Sequence, residues 1–189
     1  MTDPRPDPHP DPRLAPLLAD PAAAAVLALL AGAGHRAWIV GGAVRDALLG
    51  RPLGDIDVAT DAVPERVLAL AQGAGIRTVP TGIDHGTVTL LPGGRPVEVT
   101  SLRRDVETDG RRATVAFGAS PEADARRRDF TLNALYLAPD GRLLDPVGGL
   151  PDLLARRVRF VGDPATRLRE DHLRALRYFR FHATHGDPE

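Results

Sequence analysis

The chain contains neither cysteine nor lysine. Without cysteine there are no disulfide frameworks, thiol nucleophiles or thiolate metal sites, so any metal would rest on oxygen or histidine ligands. Without lysine, all 24 basic positions are arginine, which together with the abundant alanine reads as a GC-rich coding bias rather than a functional signal. No stretch approaches the ~18 uninterrupted apolar residues a membrane helix needs. The opening Thr2-Asp3-Pro4-Arg5 lacks a secretory apolar core. The expected location is the cytoplasm, with no membrane partner. His85 and His172 lack a second histidine at ligand spacing, and no G-x-S-x-G, Walker or Rossmann pattern is present.

What is present suffices for one packed domain and part of a second: 189 residues, of which 43% are hydrophobic. The net charge of −1 hides an asymmetry. Residues 1–125 carry 12 Arg against 16 acids, net −4, and residues 126–189 carry 12 Arg against 9 acids, net +3. A basic C-terminal third suits phosphate contact, and equally suits solvated helix faces.

Prolines at 4, 6, 8, 10 and 12 predict an extended, solvated tail, assigned to residues 1–21 with the helix following. Ala22–Ala31 reads as a helix stopped near Gly32 and Gly34. Arg36–Val40 reads as a buried strand, Gly41-Gly42 as a break, and Ala43–Leu49 as a helix. Asp55–Thr60 alternates acid and apolar residues as a strand does. Pro64–Ala71 is expected to be helical and Ile76–Val79 a short strand. Thr87–Leu91 and Pro96–Leu102 flank Pro92-Gly93-Gly94-Arg95 as a hairpin. Residues 103–118 read as a mobile loop, Glu122–Leu137 as a helix, and the chain beyond Leu150 as arginine-rich helix. The order implies an α/β (α+β) fold with a mixed sheet and flanking helices.

Four segments carry chemistry. In Gly54-Asp55-Ile56-Asp57-Val58, strand alternation would turn Asp55 and Asp57 to one face. Paired carboxylates repel, and a hard cation such as Mg²⁺ relieves that repulsion; a solvated strand face is the bland alternative. Val40-Gly41-Gly42-Ala43-Val44-Arg45 offers a bare glycine turn at a helix start, with Arg45 one turn in, an arrangement suited to phosphate as well as to an ordinary tight turn. Glu98 is the candidate third carboxylate, to position metal or activate a hydroxyl. Arg126-Arg127-Arg128 precedes Asp129-Phe130-Thr131, with Arg128 the arginine expected to be fixed in geometry. Asp171 and Arg174, at i and i+3 on a helix, would present acceptors and a donor fork to a base edge, or form a plain surface ion pair. Arg177 and Arg180 continue that face.

The motifs GGAVRD, GDIDVAT, VEVTSLRRD, RRRDFTLNAL, DPVGGLPDL and EDHLRALRYFRF occur in order between about Trp38 and Phe181. Together they resemble the bacterial-type CCA-adding tRNA nucleotidyltransferases and the related bacterial poly(A) polymerases. The resemblance implies a polymerase-β-like nucleotidyltransferase head over residues 22–145 and the start of a helical neck over residues 146–189. It implies Mg²⁺ on Asp55 and Asp57, and nucleotide contacts from Gly41, Gly42, Arg45, Arg128, Arg177 and Arg180. Asp171 and Arg174 would template the base, and Asp145 with Gly148-Gly149 would join head to neck. CTP, ATP and the tRNA 3′ end are the implied partners. Family members continue through helical body and tail domains that grip tRNA, so the chain is read as a head-and-neck fragment. The competing readings are a poly(A) polymerase, an inactive nucleotide- or RNA-binding module, and a fragment that folds only with its missing part.

Overall fold

The computed structural model describes residues 11–109 and 112–187. Prolines 4, 6, 8 and 10 lie outside the described residues. From Asp11 onward the extended reading does not hold. A 3-10 turn (Pro12–Leu14) runs into α1 (Ala15–Leu18), and Leu14 and Leu17 are buried. Pro12 and Pro16 fall in first turns, where a missing N–H costs nothing. Two leucines that bury completely outweigh the proline-rich composition.

Asp20 caps α2 (Pro21–Gly32), accepting from the amides of Ala22 and Ala23. There follow β1 (Ala37–Val40), α3 (Gly42–Leu48), β2 (Asp57–Thr60), α4 (Pro64–Gly73), β3 (Arg77–Gly82), β4 (Thr87–Leu91) and β5 (Val97–Ser101). Then come β6 (Arg103–Asp109), β7 (Arg112–Phe117), α5 (Pro121–Arg127), β8 (Tyr136–Leu137) and β9 (Leu143–Leu144). The chain ends in α6 (Gly149–Leu154), α7 (Pro164–Glu170) and α8 (Leu173–His185).

Among the described residues, seven strands form a mixed sheet in the order β3-β4-β5-β2-β1-β8-β9, with β2 and β5 parallel and the other pairs antiparallel. This is the mixed α/β architecture expected from the sequence. Strand alternation splits the core. Ile39, Val58, Val97 and Val99 join Val26, Leu30 and Val44 under α2, α3 and α4. Trp38, Val40, Ala59 and Tyr136 face the other way and pack with Ala125 of α5.

Three further segments differ from their predicted state. The expected loop 103–118 is a two-stranded hairpin, paired from Arg103↔Phe117 to Asp109↔Arg112 with a register shift between Asp105 and Glu107. Its strands bond each other rather than the main sheet, so the core left little apolar pattern to read in the sequence. The expected helix 122–137 stops at Arg127. Beyond it Phe130 bridges to Phe160, a 3-10 turn covers Thr131–Asn133, and β8 follows. Residues 130–138 are buried throughout, and continuous burial erases the periodicity that separates helix from strand. The neck helix is two helices, α7 and α8, because Asp171 is extended (φ −155°, ψ 108°).

The C-terminal helices dock through aromatic rings. The Phe130 centroid lies 4.9 Å from Phe160 and 5.2 Å from Phe181, and Phe160 stacks on Tyr178 at 5.7 Å. Gly149 permits this closeness: a Cβ there would sit 2.0 Å from the Thr131 carbonyl oxygen. Asp145 accepts from the amides of Gly149 (2.6 Å) and Leu150 (2.9 Å), tying β9 to the start of α6. No single helix among the described residues is long and apolar enough to cross a membrane.

Candidate active site

The sheet register builds the site. Asp57, the first residue of β2, is level with Val40 on β1 and with Glu98 on β5. Val40 is the last residue of β1, so the glycine turn begins beside Asp57. Gly41 has φ +71°, which a side chain would strain, and a Cβ there would lie 3.7 Å from Nη1 of Arg128. Gly41, Asp57, Glu98 and Arg128 thus come together, as four of the sequence-predicted residues were expected to.

Asp55 is not on the strand. β2 begins at Asp57, where its pairing with Val40 of β1 and Glu98 of β5 starts, and β1 has already turned away at Gly41. The expectation that Asp55 and Asp57 project from one strand face is corrected accordingly. Asp55 is exposed on the segment leading into β2, near enough to Asp57 to act on its charge.

Asp57 lies in an unfavourable electrostatic position. Burial raises its pKa most, the charges of Glu98 and Asp55 add to that, and Arg128 pulls the other way; the result is about 6. Among the described residues no group of three or more His, Asp or Glu side chains is arranged to hold a metal ion. The donor chemistry at Asp57 and Asp55 is nonetheless that of a hard-cation site, since Mg²⁺ takes one or two carboxylates and fills its remaining positions with water and phosphate oxygens.

Arg128 is fixed, as the sequence suggested. Its Nε donates to Asp124 Oδ2 (3.1 Å) and to the Tyr136 hydroxyl (3.0 Å), and Nη1 donates to the Asn133 carbonyl (3.2 Å). Its guanidinium lies 5.2 Å from the Tyr136 ring centroid. Asp124, 1% exposed, also accepts from the Tyr136 hydroxyl at 2.8 Å. Burial opposes its ionisation, but Arg128 and Arg127 hold its carboxyl below the ordinary value. Asp124 and Asn133 escaped the sequence reading, although the i, i+4 spacing of Asp124 and Arg128 was a usable signal.

Arg45 is largely buried and already paired with acceptors of the chain. It is 9% exposed and donates from Nε and Nη2 to Asp46 (2.9 and 2.8 Å) and from Nη1 to Asn133 Oδ1 (2.7 Å). Its guanidinium lies 5.4 Å from the Phe181 ring centroid. These bonds hold its guanidinium close to the glycine turn, where a Cβ on Gly42 would lie 3.6 Å from Nη2.

The neck residues also differ from expectation. Asp171 lies outside both helices, its carbonyl accepting from the Arg174 amide at 3.1 Å in the turn that opens α8. It sits in the break, at the C-cap position of α7, and its Oδ1 accepts from the Leu173 amide at 2.9 Å. Arg174 donates instead to Glu170 Oε2 (2.6 Å) and to the Arg167 carbonyl (3.1 Å). Arg177 donates to Asp129 Oδ2 from Nε (2.8 Å), binding neck to head. Arg180 is exposed, its guanidinium 5.3 Å from the Phe181 ring centroid, and it lines an open cleft of about 480 Å³ with Arg45, Arg51 and His185.

The poly A polymerase head domain matches residues 37–159. The CCA-adding enzyme of Streptococcus gordonii is 49% identical over 161 residues, 84% of this chain and 39% of its own length. The mitochondrial CCA tRNA nucleotidyltransferase 1 of Danio rerio is 49% identical over 145 residues, 76% of this chain and 34% of its own length. Among solved structures, the Bacillus stearothermophilus CCA-adding enzyme in complex with CTP superposes with a TM-score of 0.77 at 40% identity, covering 91% of this chain and 39% of that one. A tRNA nucleotidyltransferase complexed with a primer tRNA and an incoming ATP analog gives a TM-score of 0.67 at 33% identity, over 83% of this chain and 44% of that one. The chain therefore spans less than half the length of these relatives.

Proposed function

The chain belongs to the poly A polymerase head-domain family, and we propose that it is the head, residues 22–145, and first neck segment, residues 146–189, of a cytoplasmic nucleotidyltransferase that adds CMP and AMP to the tRNA 3′ end. The observation that carries this reading is the alignment of Val40, Asp57 and Glu98 across three adjacent strands, with Arg128 against the glycine turn.

Asp57 and Asp55 would hold a divalent cation, Mg²⁺ in this reading. When bound, such an ion neutralises triphosphate charge and makes the attacking hydroxyl more acidic. The chain's own residues do the rest. The bare backbone at Gly41 and Gly42 lets a triphosphate approach the start of α3. Arg128, held rigid by Asp124, Tyr136 and Asn133, faces the charge that develops as the α-phosphorus is attacked and pyrophosphate departs. Glu98 lies one strand from Asp57, placed to orient or deprotonate the 3′-hydroxyl. Arg45 is held close to the turn by Asp46 and Asn133. Base choice falls to Asp171 and Arg174 at the break between α7 and α8, where Asp171 keeps a second carboxylate oxygen beyond its bond to the Leu173 amide. Arg177 and Arg180 extend the same arginine-rich helix toward the nucleotide.

The CTP complex of a relative at 40% identity favours CCA addition over the nearest rival, a poly(A) polymerase. Incubation with labelled CTP or ATP, Mg²⁺ and a tRNA minihelix lacking its terminal CCA separates the two. Incorporation of CMP is the expected result. AMP incorporation without CMP would assign the rival activity.

A further inference from the structure

Arg167 has no place in the chemistry above, yet it is among the most buried charged residues. It lies on α7 at 9% exposure. Nη2 donates to the carbonyl of Arg128 (2.5 Å) and to that of Arg126 (3.2 Å), across some forty residues of sequence. Nη1 donates to Glu170 Oε2 (2.8 Å), the same oxygen that receives Arg174 Nη1 (2.6 Å). The carbonyl of Arg167 itself accepts from Arg174 (3.1 Å). Its Nε is buried without an acceptor among the described residues.

These contacts meet at two places that matter. Arg126 and Arg128 close the C-terminal end of α5, where the last carbonyls have no partner within the helix. A guanidinium brought in from the neck caps them. The direction in which Arg128 leaves α5 is therefore set by α7. On its other edge the same planar fork meets Glu170, which determines where Arg174 points.

We infer that Arg167 is a positioning residue that couples the phosphate side of the site, through the Arg128 main chain, to the base side, through Glu170 and Arg174. The inference rests on the proposed nucleotidyltransferase reading. It follows from fork geometry: a lysine ammonium in the same place is a point charge and does not hold two carbonyls and a carboxylate in one plane.

The test uses this chain with Mg²⁺ and measures affinity for CTP, ATP, UTP, GTP and inorganic tripolyphosphate by titration calorimetry, with a thermal melt of each variant. Arg167→Lys should weaken tripolyphosphate and CTP by about tenfold, as expected when a positioning contact is lost, and reduce the preference for CTP over UTP by about fivefold. Glu170→Gln should reduce that preference alone, leaving tripolyphosphate affinity within about twofold. A purely structural cap would lower the melting temperature without separating selectivity from phosphate affinity. If Arg167→Lys does not fold, Glu170→Gln decides: unchanged selectivity overturns the inference, and selectivity lost with phosphate binding intact supports it. A selective wild type whose folded variants match it overturns the coupling alone. A wild type with no preference for CTP and ATP over UTP and GTP overturns the functional reading and this inference with it.

Discussion

Asp57 and Glu98 stand side by side on the parallel strands β2 and β5, and because paired residues share a sheet face, their carboxylates belong to the same surface. Glu98 is exposed and Asp57 partly buried, so the repulsion between them falls mainly on Asp57. An acid held this far above its ordinary pKa destabilises the fold once it ionises, and that cost is measurable.

The sign is fixed by the direction of the shift. Burial and the neighbouring acids raise the Asp57 pKa from 3.8 unfolded to about 6 folded, so the fold favours the neutral acid. The destabilisation is absent below the unfolded value, grows as pH rises through that window, and is complete above about pH 6. Asp57→Asn should therefore stabilise the metal-free chain at pH 7.5 by about 1–3 kcal/mol, with the gain vanishing near pH 4. Urea midpoints at the two pH values measure it. The same variant should lose Mg²⁺-dependent CTP binding.

Arg45 is tied by a buried hydrogen bond to Asn133 and a part-buried one to Asp46. Arg45→Ala leaves Asp46 and the Asn133 carboxamide short of a partner and should cost about 3 kcal/mol in chemical denaturation. An unaltered midpoint combined with weaker nucleotide binding would instead make Arg45 a direct ligand.

Gly149 lies against the main chain of Thr131. Gly149→Ala forces a backbone shift where α6 meets the 131–133 turn and should destabilise by at least about 2 kcal/mol. Near-ultraviolet circular dichroism of the Phe160–Tyr178 stack should report loosening of the neck. A stable, spectrally unchanged variant would mean that the neck docks in another way.

Leu17 is fully buried, in a segment whose composition reads as an extended tail. Leu17→Ala should cost about 2–5 kcal/mol, the range for a leucine truncated in a packed core. A change below about 0.5 kcal/mol, typical of exposed positions, would show that the segment adds nothing to the fold.

The sequence by itself determined the order of elements from α2 to β5, the hairpin around Gly93-Gly94, and the residue types at the candidate site. These are local facts: glycine punctuates, apolar residues alternate along strands, and Asp20 and Ser120 cap the helices that follow them. Asp57, Glu98, Gly41 and Arg128 were legible one by one because each sits in a short motif. Only the tertiary structure decided their alignment, since the parallel pairing of β2 with β5 is a choice among sheet orders that no local pattern encodes. It also decided where the arginines go. Arg45, Arg128, Arg167, Arg174 and Arg177 have the same chemistry in the sequence, and a guanidinium pairs with whichever acceptor the folded chain brings within reach: Asp46, Asp124, the Arg128 carbonyl, Glu170 and Asp129 respectively.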